Sequence, residues 1–485
     1  MAASEPRKVT PPRLNPVRVP VPEVPPAERT ADFREVLRGY DRSAAVLEAK
    51  RCIQCRRPWC VEACPISQDC REYIRLIAND DFPGAARVTI RENPLAQTLC
   101  KVCYRYCEDA CVVKKKGVPI AIRHLKRAAL EIGASDLVYV PSAPKHQRVA
   151  VVGAGPAGIM MAWELGVRGY SVTVFEQEPN LGGLMETIPE YRMTEADLAT
   201  DLARFRGLDV TFVRTTRVGR SPTIASLKAE GYAAIFLALG TPQHRRMGIP
   251  GEELEGVIPA LEFLRRAHRH EPITLGRRIV VVGGGDVAMD SVRTALRLSR
   301  GGHVTLLYRR TRDEMPADPD EIREAEAEGI EFRFLVSPLS IEGAGRVERV
   351  RIQSLELGPV DATGRRSPVP IPGAVGTIDC DQVIVAVGQT VDLDGLSPPL
   401  DLKVTARGWA EGRGPGFATN IDGVFAAGGR SVVYAMGAAM EAAVEVDAYL
   451  ARQRGEPPTP QRPDPLGGDQ PFRLPAGYTS PIRDP

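Results

Sequence analysis

The sequence lacks the features of a membrane or secreted protein. No apolar run approaches the ~20 residues that a helix needs to span a bilayer. The N-terminal residues are rich in proline and carry glutamate and arginine, so they lack the apolar core of a secretory signal. The net charge of +2 gives no overall field that would favour nucleic acid or a membrane surface. We therefore expect a soluble, cytoplasmic protein.

Most of the chain also lacks cysteine. Nine of the ten cysteines lie between Cys52 and Cys111, and Cys380 stands alone, so the rest of the chain has no dithiol for disulfide reduction. We expect Cys380 to be a packing residue. Disulfides are rare in chains without a secretion signal, so the density of cysteine near the N-terminus predicts a metal centre.

The spacing of these cysteines indicates which metal centre. A first run, C-x2-C-x4-C-x3-C-P, is close to the ferredoxin run C-x2-C-x2-C-x3-C-P, and a second run, C-x3-C-x3-C, follows it. Two runs predict two [4Fe-4S] clusters in a helical domain over residues 31–140. Zinc is the alternative, because four thiolates also suit a tetrahedral ion, although zinc ribbons rarely place four cysteines so close together and then a proline.

The last cysteine of each ferredoxin run ligates the other cluster, because the chain crosses between the two. That rule leaves the fourth corner of the second cluster open between Cys100, the nearest thiol, and Cys70, and we favour Cys100. The predicted ligands are Cys52, Cys55, Cys60 and Cys111 for cluster 1, and Cys64, Cys100, Cys103 and Cys107 for cluster 2.

A dinucleotide-binding unit follows, with a strand, a glycine turn, a helix and a second strand that ends in an acid. Gly153 makes the tight turn, Gly155 lets the backbone approach a pyrophosphate, and Gly158 lets the helix pack on the strand. Glu176 lies at the end of the second strand, where a carboxylate accepts hydrogen bonds from an adenosine ribose.

A second unit begins at Arg278 and differs at the end of its second strand. Three arginines, Arg309, Arg310 and Arg312, stand where the first unit has its acid. Guanidinium groups there match a 2′-phosphate, so NADPH is preferred over NADH. The alternative is a solvated turn in which the arginines face Asp313 and Glu314.

The chain is then predicted to return to the first fold, through buried-type strands at 381–388 and 424–429 and a helix from about Ala435 to Tyr449. The expected fold class is α/β, with two Rossmann-like domains, the second inserted in the first, behind the helical iron–sulfur domain. The predicted boundaries are a proline-rich arm over 1–30, the helical domain over 31–140, the first domain over 146–275 and 381–454, the second domain over 276–380, and a proline-rich tail over 455–485.

The order of these motifs resembles the small (β) subunit family of NADPH-dependent glutamate synthase over nearly the whole chain. The stretches GAGPAG, GGLMETIPEYRM, GGGD, YRRTRDEMPA and VFAAG carry the resemblance. Relatives of similar build are the N-terminal half of dihydropyrimidine dehydrogenase and the large subunit of NADH-dependent ferredoxin:NADP oxidoreductase. The resemblance implies that the first domain binds FAD and the second binds NADPH.

The resemblance also implies site residues. For FAD these are Gly153, Gly155, Pro156, Ala157, Gly158, Glu176, Gly182, Gly183, Leu184, Arg192, Gly428 and Gly429. For NADPH they are Gly283, Gly284, Gly285, Asp286, Arg309, Arg310, Arg312 and Gly388. No side chain is expected to act as acid or base, because hydride passes directly between the two cofactors.

Two positions depart from the family pattern. The usual AAGD motif carries an aspartate toward FAD, whereas this chain has Gly429. Some relatives use a downstream glutamate or glutamine as the fourth ligand of the second cluster, and the matching residue here is Lys126, which cannot ligate iron. This difference favours Cys100 as that ligand.

The leading interpretation is an electron-transfer subunit that passes electrons from NADPH through FAD to the clusters and then to a catalytic large subunit. The alternatives are an NAD(P)H:ferredoxin oxidoreductase subunit, including a bifurcating one, whose acceptor is ferredoxin-like, and a non-catalytic assembly module that has lost flavin. A group of basic residues near the cysteines either attracts such an acidic acceptor or forms a solvated face: Lys101, Arg105, Lys114, Lys115, Lys116, Arg123, Lys126 and Arg127.

Overall fold

The computed structural model describes residues 15–134, 137–361, 364–393, 396, 402–403 and 416–466. The remaining parts of the predicted arm, tail and second segment of the first domain lie outside the described residues. No helix in the described ranges is both long enough and apolar enough to cross a membrane.

The N-terminal part is helical. In α4 the buried residues Cys70, Tyr73, Ile74 and Ile77 repeat at helical spacing, and the side chain of Asp69 accepts a hydrogen bond from the Glu72 N–H at the start of the helix. Its helices are α1 (Pro26–Arg29), α2 (Arg42–Ala49), α3 (Trp59–Glu62), α4 (Cys70–Ala78), α5 (Phe82–Glu92), α6 (Ala96–Val102), α7 (Tyr106–Asp109) and α8 (Ile122–Gly133).

The first nucleotide domain is built on a parallel sheet with strand order β15-β4-β1-β2-β3. Its central helix α9 is buried on almost every side, because α15 packs against it across the sheet face. The strands are β1 (Arg148–Val152), β2 (Ser171–Phe175), β3 (Val210–Val213), β4 (Tyr232–Leu237) and β15 (Val424–Ala426), and the helices are α9 (Pro156–Val167), α10 (Glu195–Ala203), α11 (Ile224–Ala229) and α15 (Val432–Arg454).

The second nucleotide domain has its own parallel sheet, with strand order β6-β13-β7-β8-β9. Its chain segment lies between β4 and β15 of the first sheet, so the predicted insertion of one Rossmann-like fold in the other is confirmed. The strands are β6 (Val257–Pro259), β7 (Arg278–Val282), β8 (His303–Tyr308), β9 (Glu331–Phe334) and β13 (Gln382–Val385), and the helices are α12 (Ala260–His268), α13 (Asp286–Leu298) and α14 (Pro319–Ala327).

The predicted boundaries of this insertion are wrong at both ends. The strand at 382–385 was assigned to the first fold, but it pairs in parallel with β6 and β7 of the second sheet. Strand β6 and helix α12 belong to the second domain too, although the predicted boundaries place them in the first. An apolar strand pattern shows that a strand is buried but not which of two similar sheets it joins.

Two smaller sheets complete the fold. Antiparallel strands β10 (Val336–Glu342), β11 (Arg349–Val360) and β12 (Arg366–Asp379) extend from the second domain. Strands β5 (Gln243–His244) and β14 (Gln389–Thr390) pair where the chain enters and leaves that domain.

The described parts of both flanks lie against the domains. In the N-terminal arm the side chain of Arg29 is buried and its Nε lies 2.9 Å from Oε1 of Glu328 in the second domain. In the tail, Arg462 donates to Oε1 of Glu164 at 2.7 Å, and Leu466 is buried. The described segments of both flanks therefore pack against the folded domains.

Candidate functional site

The first glycine turn exposes backbone at the start of α9. Gly153 has φ +102°, and a side chain there would strike the carbonyl of Ala238. A side chain on Gly158 would strike the carbonyl of Gly153. Gly155 instead has open space beside it, with Gly183 Cα as the nearest atom at 4.0 Å. The turn therefore presents free N–H groups at a helix N-terminus, as a pyrophosphate requires.

Glu176 closes this turn from the end of β2. Its carboxylate accepts hydrogen bonds from the Ala154 N–H at 2.7 Å and the Glu178 N–H at 2.9 Å. Burial raises the pKa of Glu176 in spite of these two donors. The carboxylate lines the cavity next to the glycine turn, as the prediction for a ribose partner requires.

A cavity of about 490 Å³ starts at this turn and continues to the second nucleotide domain. Gly183 and Leu184 form one wall, and residues 427–432 form another. At the far end the cavity reaches Asp286 and Val287 at the start of α13. The glycine cradle and the free helix N-terminus fit a bound dinucleotide in the first domain.

The helix α15 begins at Val432, three residues before the predicted start, and the Ser431 side chain accepts from the Tyr434 N–H. Its first turn faces the cavity through Val432 and Ala435. Gly428 and Gly429 line the cavity just before it. The N–H groups at this helix N-terminus carry partial positive charge, so they favour a negatively charged group nearby.

The second glycine turn has the same construction. Gly283 has φ +148°, and a side chain on Gly284 would enter the ring of Tyr308. Beside Gly285 the space is open, with Pro316 Cγ as the nearest atom at 3.9 Å. Asp286 follows as the first residue of α13, and burial raises the pKa of its carboxyl to about 7.

The three arginines after β8 are in different situations. Arg310 is buried, donates to the Arg366 carbonyl at 2.7 Å and pairs with Asp361 Oδ2 at 2.6 Å. Arg312 pairs with Glu326 on the surface at 2.8 Å. Arg309 is exposed, and its guanidinium makes no hydrogen bond or ion pair to the described residues. The structure thus separates Arg309 from the other two as a candidate for phosphate binding.

Two other predicted site residues have contacts that the motif did not indicate. Arg192 lines the cavity, but its guanidinium is bound to both carboxylate oxygens of Asp290, at 2.7 and 2.9 Å, and to Glu321 at 2.9 Å. These contacts join the first domain to the second. Gly388 has φ +121°, and its carbonyl accepts from the Arg245 N–H where the two connecting strands pair.

The predicted ligands of cluster 1 meet in space. A small cavity of about 30 Å³ is lined by the four cysteines together with apolar residues of α3, α4 and the loop after α7. Burial raises the pKa of Cys52 to about 12, and iron would displace such a proton on binding. In the described part of the chain no three potential ligands form a ready-made site for a single metal ion. The four lining thiols are those of Cys52, Cys55, Cys60 and Cys111.

Three predicted ligands of cluster 2 are also neighbours. The charges of Cys103 and Cys107 both contribute to raising the pKa of Cys64 to about 12, after burial, which is the main cause. Cys100 is buried on α6 and its thiol donates to the Gln97 carbonyl at 2.9 Å. Lys126 is buried as well, and its charge acts on both Cys100 and Cys103. The ammonium group therefore lies beside the predicted fourth corner.

Cys70 has a contact that the sequence pattern did not predict. Its side chain is buried at the start of α4, as expected for a packing residue. Its thiol also lies within hydrogen-bonding reach of Cys60 and Cys107, one predicted ligand from each cluster. The hydrogen bond from Cys70 lowers the pKa of Cys60.

The predicted basic group is mostly internal. Lys101 pairs with Glu35 and Asp197 at 3.0 and 3.1 Å, and Arg127 pairs with Glu35 at 2.6 Å. These two residues therefore form neither a docking face nor a solvated face, because they pair with carboxylates from other parts of the chain. Only part of the group is exposed, namely Lys114, Lys115 and Lys116.

One cavity connects the first glycine turn with the start of α13, which directly follows the second glycine turn, and it lies beside a cysteine-rich helical domain. This arrangement is typical of oxidoreductases that combine two dinucleotides with iron–sulfur clusters. Residues 29–136 match the family model described as dihydropyrimidine dehydrogenase domain II, 4Fe-4S cluster. Residues 147–444 match the model described as pyridine nucleotide-disulphide oxidoreductase. The chain belongs to the pyridine nucleotide-disulphide oxidoreductase family, in the group that includes the glutamate synthase small chains.

The relatives support that group. The chain is 37% identical over 435 residues to the NADP(+)-dependent formate dehydrogenase subunit beta of Moorella thermoacetica, covering 82% of this chain and 61% of that protein. It is 34% identical over 392 residues to the glutamate synthase [NADPH] small chain of Escherichia coli K12, covering 76% of this chain and 82% of that protein. The resemblance inferred from the motifs is confirmed.

A solved structure gives the same fold. FprA of Mycobacterium tuberculosis in complex with NADPH matches with a TM-score of 0.55 and 21% identity, over 65% of this chain and 87% of that one. The match supports the arrangement of the two nucleotide domains.

Proposed function

We propose that this chain is an NADPH-dependent FAD and iron–sulfur oxidoreductase that delivers electrons to a partner. One observation carries the proposal: a single cavity connects the first glycine turn, the start of the second nucleotide helix and the cysteine-bearing loop at Val102 and Tyr104. The residues that line this cavity would hold a flavin, which would supply hydride acceptance from a nicotinamide and single-electron release to clusters.

The chain's own residues bind and orient in this scheme. The N–H groups at Gly155 hold a pyrophosphate, and the start of α15 places positive helix potential at the flavin end of the cavity. Gly285 and the start of α13 present a second set of N–H groups to the nicotinamide nucleotide. Both turns would hold their cofactors through backbone N–H groups, so the protein would contribute position and electrostatics.

The proposed function also includes a partner that accepts the electrons. The formate dehydrogenase and glutamate synthase relatives are a beta subunit and a small chain, so we infer a hetero-oligomer with a larger subunit. By similarity to the glutamate synthase small chain, the acceptor would be a catalytic large subunit. A ferredoxin-like carrier is the alternative acceptor, and co-purification from the native host separates the two.

Arg309 supports NADPH over NADH as the donor. Of the three arginines after β8, Arg309 is exposed and has no carboxylate partner among the described residues, whereas Arg310 and Arg312 pair with Asp361 and Glu326. A guanidinium that pairs with a 2′-phosphate typically contributes ~1.5–3 kcal/mol, about tenfold or more in selectivity.

The proposed function is tested by anaerobic stopped-flow spectroscopy of the purified holoprotein. NADPH should bleach bound flavin much faster than NADH, and broad cluster absorbance should fall afterwards. Arg309→Glu should reduce the NADPH preference about tenfold or more, whereas Arg333→Gln, which removes an exposed pair with Glu331 in the same domain, should leave it unchanged. A protein without flavin, or one that NADPH does not bleach, would be the non-catalytic module instead.

A further inference from the structure

The three residues between Cys103 and Cys107 each contact a nucleotide domain. The Tyr104 hydroxyl donates to the carboxylate of Asp286, and Arg105 pairs with Asp318 at 2.5 Å and with Asp320. The ring of Tyr106 meets that of Tyr434 edge-on, with centroids 4.9 Å apart. We name residues 103–107 the bridging loop.

The contacts of Tyr104 and Arg105 form one connected group at the second glycine turn. Asp286 directly follows Gly285 and begins α13, and its Oδ1 accepts from the Asp318 N–H at 2.9 Å. Asp318 in turn caps α14 and accepts from the Asp320 N–H. The bridging loop is therefore attached to the starts of two helices in the second nucleotide domain.

The backbone of the bridging loop is held in an unusual conformation at this point. Arg105 has φ +65°, in the left-handed region that non-glycine residues seldom occupy. Its guanidinium is largely buried between the helical domain and the second nucleotide domain, with a side-chain exposure of 14%. Charge-assisted contacts to two carboxylates offset the backbone strain and the burial.

The bridging loop also borders the flavin cavity. Val102 and Tyr104, the neighbours of Cys103 on either side, both line that cavity. Both residues that are adjacent in sequence to Cys103, a predicted ligand of cluster 2, thus form part of the cavity wall. Electron tunnelling weakens steeply with distance, so the position of this loop would affect the rate at which electrons leave a flavin bound in the cavity.

We propose that Tyr104 and Arg105 are positioning residues that hold Cys103 against the flavin cavity, so that electrons enter the iron–sulfur domain through its sulfur. The inference rests on the proposed function. The step is balanced within the chain: the reduced anionic flavin loses two electrons and one proton, two clusters gain one electron each, and the proton passes to solvent.

Removing one of these contacts should leave the hydride step in place. The two nucleotide domains are joined independently by Arg192 with Asp290 and Glu321, and by Arg269 with Glu178 and Glu186. Nicotinamide and flavin would therefore stay aligned when the bridging loop moves. The inference predicts a defect confined to electron transfer from flavin to cluster.

The experiment uses the anaerobic holoprotein with NADPH as the reductant. In Arg105→Gln we expect NADPH-driven flavin bleaching within about twofold of the unaltered protein, and cluster reduction slowed about tenfold or more, since charged contacts to two carboxylates are lost. Arg105→Lys should recover part of the rate, because an ammonium group can pair with one carboxylate. Tyr104→Phe, which keeps the ring on the cavity wall, should slow the same step.

The control is Arg333→Gln, which removes an exposed arginine–glutamate pair on the second nucleotide domain, away from the bridging loop. It should change neither step. Iron content and low-temperature EPR of dithionite-reduced Arg105→Gln should match those of the unaltered protein, which separates a displaced cluster from a lost one.

Three outcomes would overturn the inference. Cluster reduction at an unchanged rate in both Arg105→Gln and Tyr104→Phe would show that the bridging loop does not set electron entry. Equal slowing of flavin bleaching and cluster reduction would indicate a general structural role. Absence of NADPH-driven bleaching in the unaltered holoprotein would reject the proposed function itself, a result distinct from the first two.

Discussion

Gly429 lies where the chain passes from β15 into α15, against the first turn of that helix. A side-chain carbon added there would lie 2.5 Å from Ala435 N and 2.8 Å from the Tyr434 carbonyl carbon. Both are backbone atoms, so they cannot turn aside. The aspartate that the family pattern places at this position therefore has no room in this conformation, and the loop approaches the cavity through backbone alone.

Gly429→Ala should loosen the flavin site for this reason. Overpacking against backbone typically costs ~1–3 kcal/mol, so we expect a lower melting temperature and faster loss of FAD on dialysis. Gly376→Ala is the matched control, since the nearest atom there is Ile352 Cγ1 at an ordinary 3.7 Å. Flavin retention and thermal unfolding followed by circular dichroism measure both effects. Unchanged retention in Gly429→Ala would mean that the loop has room to move.

At the scale of single residues, the sequence could not predict which arginine after β8 is available to bind a phosphate. The pattern after β8 predicted phosphate binding by three arginines, but it could not distinguish Arg309 from Arg310. The distinction depends on Asp361, which is 51 residues further along the chain from Arg310 and reaches it only through the β11–β12 region. No sequence pattern near Arg310 indicates a partner that is so distant along the chain.

At the scale of elements, the cysteine runs were the most predictable feature. Short spacings keep ligands close whatever the rest of the fold does, and the four cysteines predicted for cluster 1 do line one cavity. The assignment of the 382–385 strand failed because two parallel sheets of the same type accept the same apolar pattern. Local pattern predicts the type of element, and the sheet it joins depends on contacts distant in sequence.

The fourth ligand of cluster 2 is open to a direct test. We expect Cys100→Ala to lose or degrade one cluster, because Cys100 and Cys103 lie beside the same Lys126 ammonium group, which favours negative charge on thiolate and cluster. Cys70→Ala should keep both clusters, since its thiol acts as a hydrogen-bonding neighbour of Cys60 and Cys107. Iron content and EPR of the anaerobically prepared variants give the answer.

An intact two-cluster EPR signal in Cys100→Ala would show that another group closes that corner. Loss of iron in Cys70→Ala would point to Cys70 itself. Cys380→Ala is a control for the loss of a buried thiol, because that residue packs in the core of the second domain, away from the other nine cysteines.

At the scale of the whole molecule, one carboxylate joins the N-terminal arm to the second nucleotide domain. Glu328 lies within 2.9 Å of Arg29 and within 2.8 Å of both Arg293 and Arg297. These four side chains are buried, and the arginines hold the pKa of Glu328 below its usual value in spite of that burial. No local pattern relates Arg29 to Glu328, so the sequence could not predict this contact.

Glu328→Gln should therefore destabilise the protein strongly. Removing one member of a buried ionic group leaves uncompensated charge and typically costs ~3–5 kcal/mol. We expect a lower unfolding midpoint in urea and faster proteolysis of the N-terminal arm. Glu326→Gln on the same stretch removes only the exposed pair with Arg312 and should shift stability by less than about 1 kcal/mol. Equal midpoints for the two variants would contradict this interpretation.

The paired strands β5 and β14 bring the entry and exit of the inserted domain side by side, with Gln243 opposite Thr390 and His244 opposite Gln389. For the first sheet, the whole insert thus lies within the single connection between the neighbouring parallel strands β4 and β15. Recombination at these two strands can exchange one nicotinamide module for another without rethreading the flavin fold. The preference for one nicotinamide donor and the chemistry of the flavin can therefore evolve separately within one gene.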